Sequence, residues 1–417
     1  MITSIFLENF KVFQNNEIKA SKITILTGPN GCGKTSAIQA LMLLKQTNGS
    51  PNLKYDGEIV NLNSWQEITN IHNAPLKIGY SAIQSGGIQT SFIKQIAVKI
   101  GAEFRDGELV NMLSFISDGD IELSGTADKN VRGQFNVKWK SGELTLIPNL
   151  NMTDLFAYDG KSSLQQSELE PALNCIKHLG QSPKRIMEEI EFVPTDRGFR
   201  SSAYPLGDKA TDHFKGTQNI EAYESSMATT LEYKRDDIED ALSEWMNEIT
   251  GIRIKAPLQE GKLINIFAKR GEKDSSKMIN IAFEGFGSNQ LIFILVPLAQ
   301  QHHGSTLIIE EPEMHLHPGA QAKLVQVLLE ACKDKDVQLI LTTHSEHIVA
   351  AILTAVARKQ YLPSEVAISY LHREGETTVS DLIKVDEYGK VEGGLPGFFE
   401  ANIQEAENHL KAIKQLP

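Results

Sequence analysis

Between residues 23 and 44 the chain passes from a β-like run, Ile23-Thr24-Ile25-Leu26, into Gly28-Pro29-Asn30-Gly31-Cys32-Gly33-Lys34-Thr35. It then enters a helix-like run from Ser36 to Leu44. Two glycines five positions apart, followed by Lys and Thr and set between a strand and a helix, fit a phosphate-cradling loop. Gly28, Gly31 and Gly33 permit positive φ, which turns successive N–H groups inward on an anion. The helix that follows adds its positive dipole end to the same point. In that geometry Lys34 reaches the β- and γ-phosphates and the Thr35 hydroxyl ligates Mg²⁺. The spacing predicts that residues 28–36 bind a nucleoside triphosphate.

The 417 residues suffice for two or three domains and a sizeable core. No window of about eighteen apolar residues occurs, and the first segment carries Glu8 and Asn9, so a soluble, cytoplasmic protein without membrane contact is expected. Cys32, Cys175 and Cys332 are scattered and suit a reducing compartment. Inside the loop, the backbone of Cys32 matters more than its sulfur. A net charge of −12 argues against coating nucleic acid over the whole surface. The densest basic run, Arg253-Lys255-Lys262-Lys269-Arg270-Lys273-Lys277, is diluted by Glu260, Glu272 and Asp274 and reads as a solvated face, leaving only weak support for a DNA contact.

Residues 3–13 alternate like a half-buried strand, and residues 96–147 form short alternating strands broken by turn signals, an antiparallel meander. Helical patterns follow near Gln166 to His178 and from about Glu221 to Ile249. The second carries Met227, Leu231, Ile238, Leu242, Trp245 and Ile249 along one stripe, the pattern of a helix packed on its own domain more than of a partner-binding face. The last third alternates apolar strands (Thr306 to Ile309, Val337 to Leu341) with helices (Ala320 to Ala331, His347 to Ala357), which implies a parallel core sheet. Loop chemistry then gathers at the carboxyl ends of its strands.

Three further motifs sit at such positions. Leu307-Ile308-Ile309-Glu310-Glu311-Pro312 is an apolar strand ending in paired acids. Glu310 is expected to hold Mg²⁺ through water and Glu311 to polarise the water that attacks the γ-phosphate. Leu341-Thr342-Thr343-His344-Ser345 delivers His344 to the same edge, where it can hydrogen-bond the γ-phosphate. Gly285-Phe286-Gly287-Ser288-Asn289-Gln290 stands immediately before a helix and is weak alone, since it equally fits a helix cap.

Together these residues resemble the ABC-type ATPase heads of the RecF, SMC and OLD (overcoming lysogenization defect) group. Within that group, Glu310-Glu311-Pro312-Glu313-Met314-His315-Leu316-His317-Pro318 resembles the OLD-like branch, and Leu7-Glu8-Asn9-Phe10 is shared across the group. The resemblance covers the first fifty and last 140 residues well and the middle loosely. It implies a mixed α/β P-loop head: residues 1–200 an ATPase lobe with the β meander, 201–280 a mainly helical insertion, a possible interaction or dimerisation region, and 281–417 the second ATPase half. It also implies head-to-head dimerisation around ATP and Mg²⁺, with Gly285 to Gln290 of one copy closing on the γ-phosphate held by Lys34 of the other.

Two positions depart from the group. An Asp is usual where His317 falls, and no glutamine-bearing loop is evident. The positional candidate is Ile190-Glu191-Phe192-Val193-Pro194-Thr195-Asp196-Arg197, where Arg197 either contacts nucleotide or pairs with an acid. His315 and His317, beside the nucleotide, suit hydrogen bonding more than zinc. OLD nucleases carry a Toprim domain after the head. The roughly seventy residues after His344 hold no D-x-D and read as a strand pair, the Gly389 turn and a terminal helix after Pro396, so no nuclease activity is expected of the chain itself. The resemblance implies a slow, regulatory ATPase that gates a separately encoded nuclease or toxin in bacterial anti-phage defence. The alternative is a RecF-like repair ATPase that clamps duplex DNA.

Overall fold

The computed structural model describes residues 1–47, 52–71, 74–85, 95–106, 108–117, 122–128, 135–139, 142–148, 156–162, 181–208, 220–255, 258–259, 263–270 and 278–394. The principal elements in chain order are β1 (Ile2–Phe10), β2 (Phe13–Lys19), β3 (Ile23–Thr27), α1 (Lys34–Thr47), β4 (Leu76–Ser85), β5 (Gln95–Arg105), β6 (Glu108–Ser117), β7 (Glu122–Asp128), β8 (Phe135–Trp139), β9 (Gly142–Pro148) and β10 (Phe156–Ser162). There follow α2 (Ser182–Glu188), β11 (Ile190–Val193), α3 (Ile220–Tyr233), α4 (Arg235–Thr250), α5 (Phe286–Gln300), β12 (Thr306–Glu310), α6 (Pro318–Asp334), β13 (Gln338–Thr342), α7 (Glu346–Ala357), β14 (Val366–Glu374) and β15 (Thr377–Ile383). The expected helices near Gln166 to His178 and after Pro396 lie outside the described residues.

Every residue of β3, β12 and β13 is buried, as an apolar strand covered on both faces requires. They form the middle of a six-stranded sheet in the order β11-β12-β13-β3-β14-β15, parallel as far as β14 and closed by the antiparallel β14–β15 hairpin. The register pairs Val193 with Ile309, Glu310 with Thr342 and Thr342 with Leu26, so the carboxyl ends of four strands stand level at one edge. The loops that leave that edge carry Arg197, Glu311, His344 and the phosphate loop.

Side-chain alternation along the parallel strands divides the core into two layers. Ile308 and Ile340 face one layer with α1 and the first five strands, while Leu307, Ile309, Leu339 and Leu341 face the other with α4 to α7. The first layer is backed by a nine-stranded antiparallel sheet, β10-β9-β8-β7-β6-β5-β4-β1-β2, which contains the meander expected over residues 96–147. The molecule is therefore a mixed α/β fold with an antiparallel lobe.

The stripe from Glu221 to Ile249 forms two helices rather than one. The backbone breaks at Lys234 (φ −106°, ψ 23°), and the hydrogen bonds that Lys234 N donates to Thr230 O and Ile238 N donates to Lys234 O carry the turn across the break. Met227, Leu231, Ile238, Leu242 and Ile249 are buried, Trp245 is half-buried, and α4 packs on α5 and α6, so the apolar stripe faces the chain's own core. Among the described residues no helix is long and apolar enough to cross a membrane.

Candidate functional site

The loop after β3 has the backbone its glycines predict. Gly28 sits at φ 139°, and a Cβ there would lie 2.0 Å from the Leu371 carbonyl oxygen of β14, so no side chain fits. Gly31 and Gly33 also take positive φ. The loop therefore packs on the sheet while Pro29, Asn30 and Gly31 remain exposed, with Cys32 buried beneath them and Ser36 half-buried in the first turn of α1. Lys34 is buried, and its ammonium donates to the carbonyls of Gly28 (2.9 Å) and Pro29 (3.0 Å). Burial pulls its pKa down, while the charges of Glu311 and Glu313 act in the opposite direction. Contact with a phosphate would exchange two loop carbonyls for oxygens that carry full charge, a stronger partner for the same ammonium.

Glu310 ends β12 only 4% exposed. Burial raises its pKa to about 7, the charge of Glu311 pushes the same way, and a hydrogen bond from the Thr35 hydroxyl partly opposes them. Its Oε1 is buried with no hydrogen-bond partner. A hydroxyl and an unpartnered carboxylate oxygen side by side, beside a phosphate loop, fit the oxygen ligands that Mg²⁺ takes. Glu311 departs from the strand at φ 42°, a conformation uncommon for a side chain of its size. Its amide donates to Thr342 O (2.9 Å), which fixes the turn against β13.

His344 leaves β13 with its Nε2 3.6 Å from Glu311 Oε1, both side chains about one-third exposed. Burial and the charge of Lys34 lower its pKa, with Glu311 opposing, which favours the neutral imidazole. The sequence assigned no task to Glu313, yet its Oε1 accepts from Thr343 Oγ1 (2.7 Å), His344 N (2.7 Å) and Ser345 N (3.2 Å). This one carboxylate fastens the loop of His344 to the loop of the paired acids. The only signal for it was its place in the Glu310-to-Pro318 run.

Arg197 is 2% exposed, and its guanidinium reaches three main-chain carbonyls: Pro194 (2.6 Å), Glu310 (2.8 Å) and Glu311 (2.8 Å). Burial lowers its pKa to about 10, which leaves it charged at neutral pH. Of the two roles the sequence left open, nucleotide contact or pairing with an acid, these hydrogen bonds do not make the second. The partners are the carbonyls of the acidic pair.

The segment Gly285 to Gln290 is not a loop ahead of a helix. The helix α5 already begins at Phe286, with Gly285 as its N-cap, because Ser288 N and Asn289 N both donate to Gly285 O (3.1 and 3.3 Å). Gly287 approaches the next loop so closely that a Cβ would meet the His315 carbonyl oxygen at 2.4 Å. Phe286 is exposed and meets the His315 ring edge-on. Gly285 to Ser288 line an open groove of about 680 Å³ with His315, His317 and Lys323. Asn289 and Gln290 turn inward instead, Asn289 exchanging two hydrogen bonds with the backbone of Phe199 (2.7 and 2.8 Å). His317 caps α6, its Nδ1 accepting from Gly319 N. Among the described residues, no cluster of His, Cys, Asp or Glu is suited to hold a metal by protein ligands alone.

A family model described as an AAA ATPase domain matches residues 1–349. An OLD nuclease from Thermus scotoductus is 21% identical over 401 residues, which is 92% of this chain and 66% of that protein, so the chain spans just under two thirds of that relative. An uncharacterised protein of Methanocaldococcus jannaschii is 28% identical over 99 residues, 24% of this chain and 82% of that protein. Among solved structures, the SmcHead bound to the C-winged helix domain of ScpA is 15% identical with a TM-score of 0.49, covering 93% of this chain and 98% of that one. The SMC head domain from Thermotoga maritima is 11% identical with a TM-score of 0.41, covering 92% and 99%. The family model covers the phosphate loop, the paired acids and His344 alike, and the chain belongs to the AAA ATPase domain family.

Proposed function

We propose that this ATPase binds ATP at residues 28–36, hydrolyses it with Glu311, and uses the bound triphosphate to join two copies that gate a separately encoded effector. The level carboxyl ends of β3, β12 and β13 carry this reading, because they bring Lys34, Thr35, Glu310, Glu311 and His344 to one edge of one sheet. Thr35 and Glu310 would hold Mg²⁺, which when bound neutralises charge on the phosphate oxygens. Lys34 would leave the Gly28 and Pro29 carbonyls for the phosphates. As a water oxygen bonds to the γ-phosphorus, Glu311 takes its proton and the bond to the β-phosphate oxygen breaks, giving ADP and phosphate. His344, beside Glu311, would hydrogen-bond the γ-phosphate.

The first turn of α5 in a second copy would complete the site. Its Gly285 to Ser288 turn is expected to cap the γ-phosphate from across the dimer, while Asn289 and Gln290 of the same segment are buried in their own protomer. The similarity to an OLD nuclease over 92% of this chain supports an OLD-like ATPase; the separately encoded effector and a place in bacterial anti-phage defence are part of the proposal. A net charge of −12 gives the RecF-like, DNA-clamping alternative no support.

Two variants test the reading. Lys34→Ala should lose nucleotide binding by about two orders of magnitude in a fluorescent-nucleotide titration, since a buried charge-assisted contact goes. Glu311→Gln should keep binding while kcat falls about 10²- to 10⁴-fold, the range for loss of a general base. Hydrolysis by Glu311→Gln at the wild-type rate would remove the assignment of the base.

A further inference from the structure

We infer that Arg197 is a positioning residue for hydrolysis: it holds the Glu310–Glu311 main chain in its active geometry and ties that geometry to the first turn of α5. The inference rests on the proposed role of Glu311 and adds a residue and a route that this role does not require.

The two carbonyls Arg197 grips belong to the very residues whose carboxyls do the proposed chemistry. Glu311 stands at φ 42°, so its backbone needs an external hold to keep a sparsely populated conformation. Its amide is held from one side by the Thr342 carbonyl of β13, and its carbonyl from the other by the Arg197 guanidinium. The planar fork of arginine is suited to this, since two nitrogens reach carbonyls of successive residues while one also holds Pro194 of its own loop. A lysine at the same position has a single nitrogen and cannot reproduce that spread.

The grip does not end at Arg197. Two residues on, Phe199 gives its amide to Asn289 Oδ1 and accepts from Asn289 Nδ2, both in the buried interior. Gly198 between them lies at φ 121°, where it turns the chain from one anchor to the other, and its Cα faces Asn289 and Gln290. The path from the α5 first turn to the acids is thus Asn289, Phe199, Arg197, and then the Glu310 and Glu311 carbonyls. Any displacement of α5 is transmitted to the loop that sets where the Glu311 carboxylate points. A misplacement on the order of 1 Å can cost about 10²-fold in rate, so small shifts suffice.

Arg197→Lys and Arg197→Ala in the full-length protein test this, with thermal melts and nucleotide titration as controls. The expected result is a fall in kcat of about 10- to 100-fold with KM and nucleotide Kd within about twofold of wild type. Submolar guanidinium, but not ammonium, should recover part of the Arg197→Ala rate. On the Glu311→Gln background, Arg197→Lys should change kcat by less than about twofold, because both changes disable the same carboxylate. A wild-type kcat in Arg197→Lys overturns the inference, and so does a loss that multiplies with that of Glu311→Gln. If neither Arg197 variant gives a cooperative melt, Asn289→Asp tests the other end of the path, since it keeps the acceptor and loses the donor to Phe199. The same drop in kcat with KM preserved is required, and an unchanged rate overturns the inference. A wild-type rate in Glu311→Gln sinks the assignment of the base, whereas an inactive Glu311→Gln beside a fully active Arg197→Lys sinks the positioning role alone.

Discussion

Glu310 sets burial against function in a single side chain. At 4% exposure its ionised form is poorly solvated, and its pKa stands near 7, above the ordinary carboxylate value of 4.5. A raised folded pKa means that between pH 4.5 and 7 the native protein retains a proton the unfolded chain releases. The stability this confers is complete below pH 4.5 and lost as the pH rises through 7, on the order of 3 kcal/mol in all. Glu310→Gln removes that dependence, so in metal-free buffer its Tm relative to wild type should climb steadily from pH 5 to pH 7.5 in calorimetric scans. Mg²⁺ needs the ionised carboxylate, so it should raise the wild-type Tm at pH 7.5, have little effect at pH 5, and have none on the variant. A gap between the two proteins that stays constant with pH would refute the assignment of the buried titrating group to Glu310.

At the level of elements, the approach of α5 to the loop after β12 depends on one missing side chain. Gly287→Ala places a methyl 2.4 Å from the His315 carbonyl oxygen, which must move, at a cost of about 1–3 kcal/mol typical of overpacking. Gly285→Ala meets nothing within 4 Å at an ordinary φ of −55° and should lose only the preference for glycine over alanine at an N-cap, below about 1 kcal/mol. Urea melts of the two variants check this, and equal midpoints would disprove the close approach. The doubly buried strands β3, β12 and β13 were legible because a strand covered on both faces has to be an apolar run, and the meander because its faces alternate. The start of α5 was not, because glycine, serine and asparagine are poor helix formers and only the burial of Asn289 and Gln290 reveals the helical register. Neither glycine nor proline marks the break at Lys234. The roles of Arg197 and Glu313 were hidden for another reason: Arg197 reaches main-chain carbonyls, and Glu313 reaches two main-chain amides and the Thr343 hydroxyl. Arg197 reaches carbonyls 113 and 114 positions away, and Glu313 reaches amides 31 and 32 positions away, so no spacing rule applies.

For the whole molecule, the question is what completes a site that is sheltered on one side only. Lys34 and Glu310 are buried, while Thr35, Asn30 and Gly31 are exposed and His344 and Glu311 are about one-third exposed, so a triphosphate seated there would present its γ end partly to solvent. Gly285 to Ser288, the residues expected to cap a γ-phosphate, border a groove with His315 and His317 and show an exposed Phe286. An exposed aromatic ring at a helix N-terminus beside a groove suits contact with a second copy, in which each protomer lends its α5 turn to the other's phosphate. Sites formed this way exist only in the assembly, so ATP binding and association must be linked, each strengthening the other. Glu311→Gln, which keeps ATP intact, should therefore sediment as a dimer with saturating ATP and Mg²⁺ and as a monomer with ADP, while Lys34→Ala should remain monomeric in both. Phe286→Ala should weaken the ATP-bound dimer without altering the fold, since the ring is largely solvent-exposed in the single chain. A hydrolysis-deficient protein that stays monomeric at saturating ATP, across the concentration range of analytical ultracentrifugation, would mean that the groove beside α5 serves another purpose and that each site works alone.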